Sequence, residues 1–231
     1  MFLMAIRTMR VGFDFDGVIA YNPLRVLRMP AMAIRRLIMP NHQLRFPVPK
    51  EKTWRFLWNI AHETSFFPAY GFSELRKLLE EKKIEGYIVT GRYSFLEKSL
   101  HNWLKKHGVE GLFKEIHLNK KNEQPHLFKE RMLRELNLDY FVEDNWDIVN
   151  YLHRRSQIAD RRLDNVNKKK SIIKHPASAK ASVGRQSSII NPTTEIHWIY
   201  NIIDRFQRYP NKHPHLKGFL QKITEKQRDI R

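Results

Sequence analysis

The stretch Val11–Val18, VGFDFDGV, places two carboxylates, Asp14 and Asp16, at the end of an apolar run. The run from Met9 to Phe15 has the composition of a buried strand, and Gly17 permits the sharp turn that ends it. Two like charges so close together resist joint ionisation unless a cation compensates them. The stretch therefore predicts a buried strand with a cation site at its carboxyl end.

Strand-like and helix-like patterns alternate along the rest of the chain. This alternation predicts an α/β fold with a Rossmann-like parallel sheet, helices on both faces, and functional residues at the carboxyl ends of the strands. Ser73 is predicted to be the N-cap of the helix-like run 72–83. The strand-like runs after the first are 86–90, 116–118, 140–142 and 196–200, and the helix-like runs are 72–83, 93–107, 125–136, 146–153 and 216–226.

Composition limits the kind of protein this is. The chain has 231 residues, 42% of them hydrophobic, which suits one core domain with an insertion. It has no cysteine, so disulfides and thiolate catalysis are excluded and a metal site must use oxygen or imidazole ligands. No apolar run approaches the roughly 18 residues of a membrane span, and the first ten residues lack the pattern of a signal peptide. We therefore expect a cytoplasmic protein that uses a hard cation such as Mg²⁺.

The chain is strongly basic, with 42 Lys and Arg against 24 Asp and Glu and a formal net charge of +18. Such a balance favours phosphates, nucleic acids or an anionic surface as partners. Residues 154–193 hold ten Lys and Arg but only two Asp, and they show neither helix nor strand periodicity. They are predicted to be a disordered basic insertion within the core domain.

Four polar motifs follow the predicted strands in a fixed order. Asp14 and Asp16 follow the first strand, Thr90–Arg92 the second, Lys129 lies in a helix, and Glu143–Asp144 follow the strand over 140–142. The sequences FDFDGVIA, YIVTGR, HLFKERML and FVEDNWDIV resemble, in this order, the four motifs of the haloacid dehalogenase-like (HAD) superfamily of phosphohydrolases.

The resemblance implies a role for each motif residue. Asp14 would attack phosphorus and form an aspartyl-phosphate, and Asp16 would protonate the leaving oxygen and then deprotonate the attacking water. The presence of Asp16 as a second acid favours phosphoryl transfer over cleavage of a carbon–halogen bond. The residues expected to bind the phosphorylated substrate are Thr90, Gly91, Arg92 and Lys129.

The resemblance also implies Mg²⁺ as cofactor. Asp14, the backbone carbonyl of Asp16, Asp144 and Glu143 are the expected ligands, with Glu143 binding either directly or through water. Hard oxygen donors of this kind suit Mg²⁺, which retains some of its waters.

Residues 21–68 lie where the superfamily inserts a cap, so the core domain is expected to comprise 9–20 and 69–231. The segment is predicted to be an amphipathic helical cap that suits phosphate-rich substrates, and its aromatic residues could stack on a base. These features give the chain a looser resemblance to the 5′-nucleotidase-like branch of the superfamily. The arginines and aromatic residues concerned are Arg25, Arg28, Arg35, Arg36, Arg45, Arg55, Trp54, Phe56 and Trp58.

Three alternatives remain open from the sequence. Lys120 and Lys121 also lie between the second and fourth motifs, so either could replace Lys129 as the catalytic lysine. The four motifs do not separate a phosphatase from a phosphomutase. The second functional hypothesis is a nucleic-acid-binding or scaffold protein with little catalysis, for which the basic segment 154–193 is the main support.

Overall fold

A computed structural model describes residues 7–21, 23, 44–49, 51–63, 65–158, 194–200 and 208–229. The strands, in chain order, are β1 (Met9–Phe13), β2 (Ala20–Tyr21), β3 (Phe67–Pro68), β4 (Ile84–Tyr93), β5 (Glu115–Asn119), β6 (Tyr140–Glu143), β7 (Glu195–Ile199) and β8 (Lys212–His213). The α-helices of the described residues are α1 (Lys52–Glu63), α2 (Phe72–Glu80), α3 (Glu97–Lys106), α4 (Pro125–Leu136), α5 (146–158) and α6 (Leu216–Asp229).

Six strands form one parallel sheet in the order β5-β4-β1-β6-β7-β8. The first strand lies in the middle, and Phe13 pairs with Ile88 of β4 on one side and Val142 of β6 on the other. The carboxyl ends of β1, β4 and β6 therefore lie side by side at one edge, which we call the carboxyl edge of the sheet. β2 and β3 form a separate two-stranded antiparallel ladder.

Alternating residues of the strands bury opposite faces of the sheet. Ile88 and Val142 belong to one hydrophobic cluster with residues of α2, α3 and α6. Val89 and Phe141, their neighbours in the chain, belong to a second cluster with residues of α4 and α5. Helices thus cover both faces, and the predicted α/β fold with a parallel sheet is confirmed.

The second predicted strand is longer than its sequence pattern. β4 continues through Thr90, Gly91 and Arg92 to Tyr93, and its pairing with β5 shifts register between Thr90 and Tyr93. The predicted helix that follows is correspondingly shorter, because α3 begins only at Glu97. An irregularity of this kind redirects side chains at the end of a strand, which matters for the site described below.

Two further local predictions are wrong. The residue at the N-cap of α2 is Gly71, while the Ser73 hydroxyl donates to Glu74 instead of capping the helix. Residues 154–158, predicted to start the disordered insertion, continue helix α5, and Arg155 donates to Glu130 at 2.8 Å. The remaining insertion residues, 159–193, lie outside the described part of the chain.

The predicted cap segment is described only in part. Helix α1 lies within it, with Trp54 and Phe56 exposed and Trp58 packed near Tyr93. Arg45 and Arg55 are among the described residues. Arg25, Arg28, Arg35 and Arg36 lie outside them. Within the ranges given above, no helix is long and apolar enough to cross a membrane.

Candidate active site

The ends of β1 and β6 bring three carboxylates together at the carboxyl edge of the sheet. Asp14 follows β1, its backbone N–H donates to the Val142 carbonyl at 2.9 Å, and Glu143 and Asp144 lie at the end of β6. One oxygen of each of Asp14, Glu143 and Asp144 lies within 4.8 Å of the others, and all three residues are buried. We call these three residues the acidic cluster.

Lys129 is the cation at this cluster. Its Nζ lies 2.9 Å from Asp14 Oδ2 and 2.5 Å from Glu143 Oε2, and its side chain is 2% exposed. The other two candidate lysines lie elsewhere: Lys120 pairs with Glu97 on the surface, and Lys121 is exposed. Of the three, only Lys129 reaches the acidic cluster.

Helix α4 and strand β4 pack closely where Lys129 enters the site. A Cβ added to Gly91 would lie 2.9 Å from the Pro125 side chain and 3.7 Å from Lys129 Cε. The absence of a side chain at Gly91 therefore allows the first turn of α4, which begins at Pro125, to approach the sheet. This packing is a structural reason for the glycine that the sequence alone did not indicate.

Backbone and indole N–H groups fix the orientation of the cluster. The Phe15 N–H donates to Asp14 Oδ1 at 2.8 Å, and the Asn145 N–H donates to Glu143 Oε1 at 3.0 Å. The Trp198 indole donates to the Asp144 carbonyl at 3.2 Å. Asp147, close by on α5, is not a member of the acidic cluster.

Burial controls the protonation of the cluster. Desolvation raises the pKa of Asp14, against the opposing effect of Lys129, and the neighbouring Asp144 and Asp16 raise it further. Desolvation likewise raises the pKa of Glu143 from 4.5 to about 8, with Lys129 again opposing the change. Lys129 itself has a raised pKa, because the attraction of Asp14 and Glu143 outweighs its own loss of solvation. One lysine thus incompletely compensates three buried carboxylates.

The donor set of the acidic cluster fits a hard divalent cation. Three ionised carboxylates and one ammonium give these four groups a formal charge of −2. The groups facing the shared point are oxygen donors, which Mg²⁺ prefers. A divalent cation would balance the charge and favour the ionised forms that burial now opposes.

Asp16 lies in different surroundings although it is only two residues from Asp14. Arg92 donates to both of its oxygens, from Nε to Oδ2 and from Nη2 to Oδ1, each at 2.7 Å. The Ser65 hydroxyl donates to Oδ1, also at 2.7 Å. The guanidinium is buried and stacks on the Phe15 ring, with its central carbon 4.5 Å from the ring centroid. In the structure Arg92 therefore binds Asp16, whereas the sequence suggested that it binds the substrate.

Thr90 and Gly17 complete the carboxyl edge. The buried Thr90 hydroxyl accepts the Arg92 N–H at 3.3 Å, which leaves the proton of that hydroxyl to be donated to another acceptor. Gly17 has a φ of 82°, a conformation that favours glycine, so the predicted sharp turn is confirmed. Its N–H donates within the turn to the Ala20 carbonyl at 2.7 Å.

Ser65 is the residue at this site that the sequence did not single out. It lies 49 positions from Asp16, in the last part of the predicted cap segment, and it is buried. No spacing rule connects a lone serine to a distant aspartate. Ser65 lies just before β3, and β3 pairs with β2, which follows the first motif in the chain. This pairing brings Ser65 next to Asp16.

Comparisons with known proteins yield low-level structural similarity only. No protein-family model and no curated protein matches the chain. Among solved structures, a HAD-superfamily hydrolase of subfamily IA from Geobacter sulfurreducens matches at 16% identity, covering 60% of this chain and 79% of the other, with a TM-score of 0.32.

Two further structures are similar at the same level. CbbY from Rhodobacter sphaeroides, in complex with phosphate, has 14% identity, 62% and 80% coverage, and a TM-score of 0.38. The candidate HAD-hydrolase YfnB from Bacillus subtilis, bound to magnesium, has 13% identity, 60% and 81% coverage, and a TM-score of 0.38. All three TM-scores lie below 0.5.

Proposed function

We propose that the chain is a phosphohydrolase that cleaves small phosphorylated metabolites through an aspartyl-phosphate on Asp14, with Mg²⁺ as cofactor. The observation that carries this proposal is the acidic cluster with its buried lysine, Lys129. A second aspartate, Asp16, lies two residues after Asp14 and is bound by Arg92. A nucleophile and a separate acid–base group in this arrangement are what phosphoryl transfer through a covalent intermediate requires.

In the first step, an Asp14 carboxylate oxygen forms a bond to phosphorus while the bond from phosphorus to the leaving oxygen breaks. Lys129 favours the ionised nucleophile and offsets negative charge on the phosphoryl group, an effect that is largest in the transition state. Thr90 donates its hydroxyl proton to a phosphoryl oxygen.

Asp16 handles the protons of both steps. As an acid it gives its proton to the leaving oxygen, and as a base it takes a proton from the water that hydrolyses the aspartyl-phosphate and frees Asp14. Arg92 and Ser65 donate three hydrogen bonds to the Asp16 carboxylate. They stabilise the ionised form that results when Asp16 gives its proton to the leaving oxygen, and this is also the form that accepts the proton of the water.

Mg²⁺ would be held by Asp14, Asp144 and the Asp16 backbone carbonyl, with Glu143 binding directly or through water. When bound, it would offset charge on the phosphoryl group and orient that group toward Asp14. These ligands are the ones implied by the motif resemblance, and the oxygen-rich, buried cluster supports them.

A nucleotide is the more specific substrate that we propose within this class. Its support is the basic and aromatic composition of residues 21–68, on which the resemblance to 5′-nucleotidases also rests. Release of inorganic phosphate distinguishes the proposed hydrolysis from a phosphomutase reaction. The nucleic-acid-binding hypothesis has its main support in the basic composition of residues 154–193, and it assigns no role to the acidic cluster.

The test is a screen of phosphorylated metabolites, nucleotides included, for release of inorganic phosphate with Mg²⁺ and with EDTA. Asp14→Asn serves as the matched control, because an amide keeps the shape of the side chain but cannot attack phosphorus. We expect phosphate release that needs both Asp14 and the cation. Release by wild type that persists in EDTA would refute the metal assignment, and release that persists in Asp14→Asn would refute the nucleophile.

A further inference from the structure

Two exposed aromatic residues are paired across the small ladder beside Asp16. Tyr21 of β2 pairs directly with Phe67 of β3, so the two side chains project from the same face of the ladder. They are 48% and 65% exposed, and neither belongs to the two hydrophobic clusters of the core. Packing of the described core therefore does not explain them.

The small ladder adjoins Asp16. Ser65 lies two residues before Phe67, and Ala20, the chain neighbour of Tyr21, forms an isolated bridge with Asp16. The Ser65 side chain contacts Asp16 at 2.7 Å. Tyr21 and Phe67 thus lie one and two residues from Ala20 and Ser65, two positions that contact Asp16, whereas Phe66, 58% exposed, precedes the ladder.

We propose that Tyr21 and Phe67 bind the leaving group of the substrate and select one that carries a planar aromatic ring. This inference rests on the proposed function, in which Asp16 protonates the leaving oxygen. The part of the substrate attached to that oxygen must pass beside Asp16, next to the ladder that carries the two exposed rings. Aromatic faces stack on planar rings more favourably than on saturated rings of the same size.

The substrate test compares three alkyl phosphates that differ in the group beyond the leaving oxygen. Benzyl phosphate and cyclohexylmethyl phosphate both release a primary alcohol, so their chemical reactivity is nearly matched while only one ring is aromatic. Methyl phosphate has no ring. We expect wild type to prefer benzyl over cyclohexylmethyl phosphate by about 5- to 10-fold in kcat/KM, the size of one stacking contact.

Single-residue variants test which side chains select the aromatic leaving group. Phe67→Ala and Tyr21→Ala should each lower kcat/KM for benzyl phosphate by about 5- to 10-fold and leave methyl phosphate within about 2-fold of wild type. Phe66→Ala is the matched control, a similarly exposed phenylalanine outside the Tyr21–Phe67 pair, and it should change kcat/KM for neither substrate. Equal kcat/KM for the benzyl and cyclohexylmethyl compounds, or equal effects of Phe66→Ala and Phe67→Ala, would overturn the proposal.

A binding measurement separates this inference from the proposed function. Benzylphosphonate and methylphosphonate cannot be hydrolysed, and their affinities for wild type and Phe67→Ala are measured by calorimetry with Mg²⁺. If benzylphosphonate binds more tightly than methylphosphonate and Phe67→Ala removes the difference, the aromatic subsite is supported. This holds even if no phosphate ester is hydrolysed. Absence of hydrolysis would refute only the proposed function. Equal affinities of the two phosphonates in wild type would overturn the subsite, whatever the turnover.

Discussion

Asp14 and Asp16 are separated by one residue, yet their carboxylates have opposite electrostatic surroundings. Asp14 shares one lysine with two other buried acids, and its pKa is raised. Asp16 has an arginine on both of its oxygens and a serine hydroxyl as well. The tight turn at Gly17 follows directly, and the chain there no longer continues the pleat of β1.

The difference shows how one short motif supplies two kinds of carboxylate. A carboxylate in an undercompensated cluster gains by binding a cation or an electrophile, which suits a nucleophile. A carboxylate held by a bidentate guanidinium keeps a fixed orientation, which suits proton transfer. The two roles thus depend on which cation each side chain meets.

The largest expected effect is on the Asp14 side. Asp14→Asn should lower turnover by about 10⁴-fold or more, because removing a nucleophile removes the covalent route. Phosphate release under saturating substrate is the measurement, with circular dichroism to verify folding. Turnover within a few-fold of wild type in a folded variant would exclude Asp14 as the nucleophile.

Lys129 gives the next effect, on stability as well as turnover. Lys129→Ala leaves buried carboxylates without their cation and should lower the free energy of unfolding by about 3–5 kcal/mol. Denaturant unfolding in EDTA measures this loss. Lys120→Ala is the control, since the exposed pair of Lys120 with Glu97 should contribute less than about 1 kcal/mol. A larger effect of Lys120→Ala on stability and turnover would show that the wrong lysine is assigned.

Arg92 tests the other side of the comparison. Arg92→Lys keeps the charge but loses the bidentate contact with Asp16, so kcat should fall by about 10- to 100-fold while KM stays close to wild type. Ser65→Ala removes one hydrogen bond and should lower kcat by about 5-fold. If Arg92 instead grips the substrate, KM will rise and kcat will change little.

The last expected effect is a pH dependence of the free energy of unfolding that reports on the acidic cluster. The folded pKa of Glu143, about 8, lies above its ordinary value of 4.5, so the folded state holds more protons than the unfolded state between these values. The free energy of unfolding of the metal-free protein should therefore fall as pH rises from about 5 to 8. Mg²⁺ should stabilise the protein increasingly over the same range.

Thermal unfolding in EDTA and in Mg²⁺ across this pH range measures the effect, with Glu143→Gln as control. Burial lowers the pKa of His197 to about 3 and that of His213 to about 4, so these histidines make stability rise with pH up to about 6.5 in both proteins. The difference between the two profiles isolates Glu143. Parallel profiles for wild type and Glu143→Gln would contradict the raised pKa.

The sequence by itself determined the order of the motifs and most of the elements that carry them. The apolar run of β1 and the helical periodicity of 125–136 are local patterns, and α4 has the bounds that its pattern predicts. The convergence of Asp14, Glu143 and Asp144 also follows from sequence, because parallel strands end at a common edge. These features depend on residues close in the chain or on a general rule of topology.

Only the tertiary structure decided which partners the charged residues have. Local patterns could not choose Lys129 over Lys120, since the choice depends on the face of α4 that packs against the sheet beside Gly91. Nor could they assign Arg92 to Asp16, because β4 continues past Thr90 with a shift in register. The physical reason is that an ion pair depends on distance in space, and these partners lie far apart in the chain.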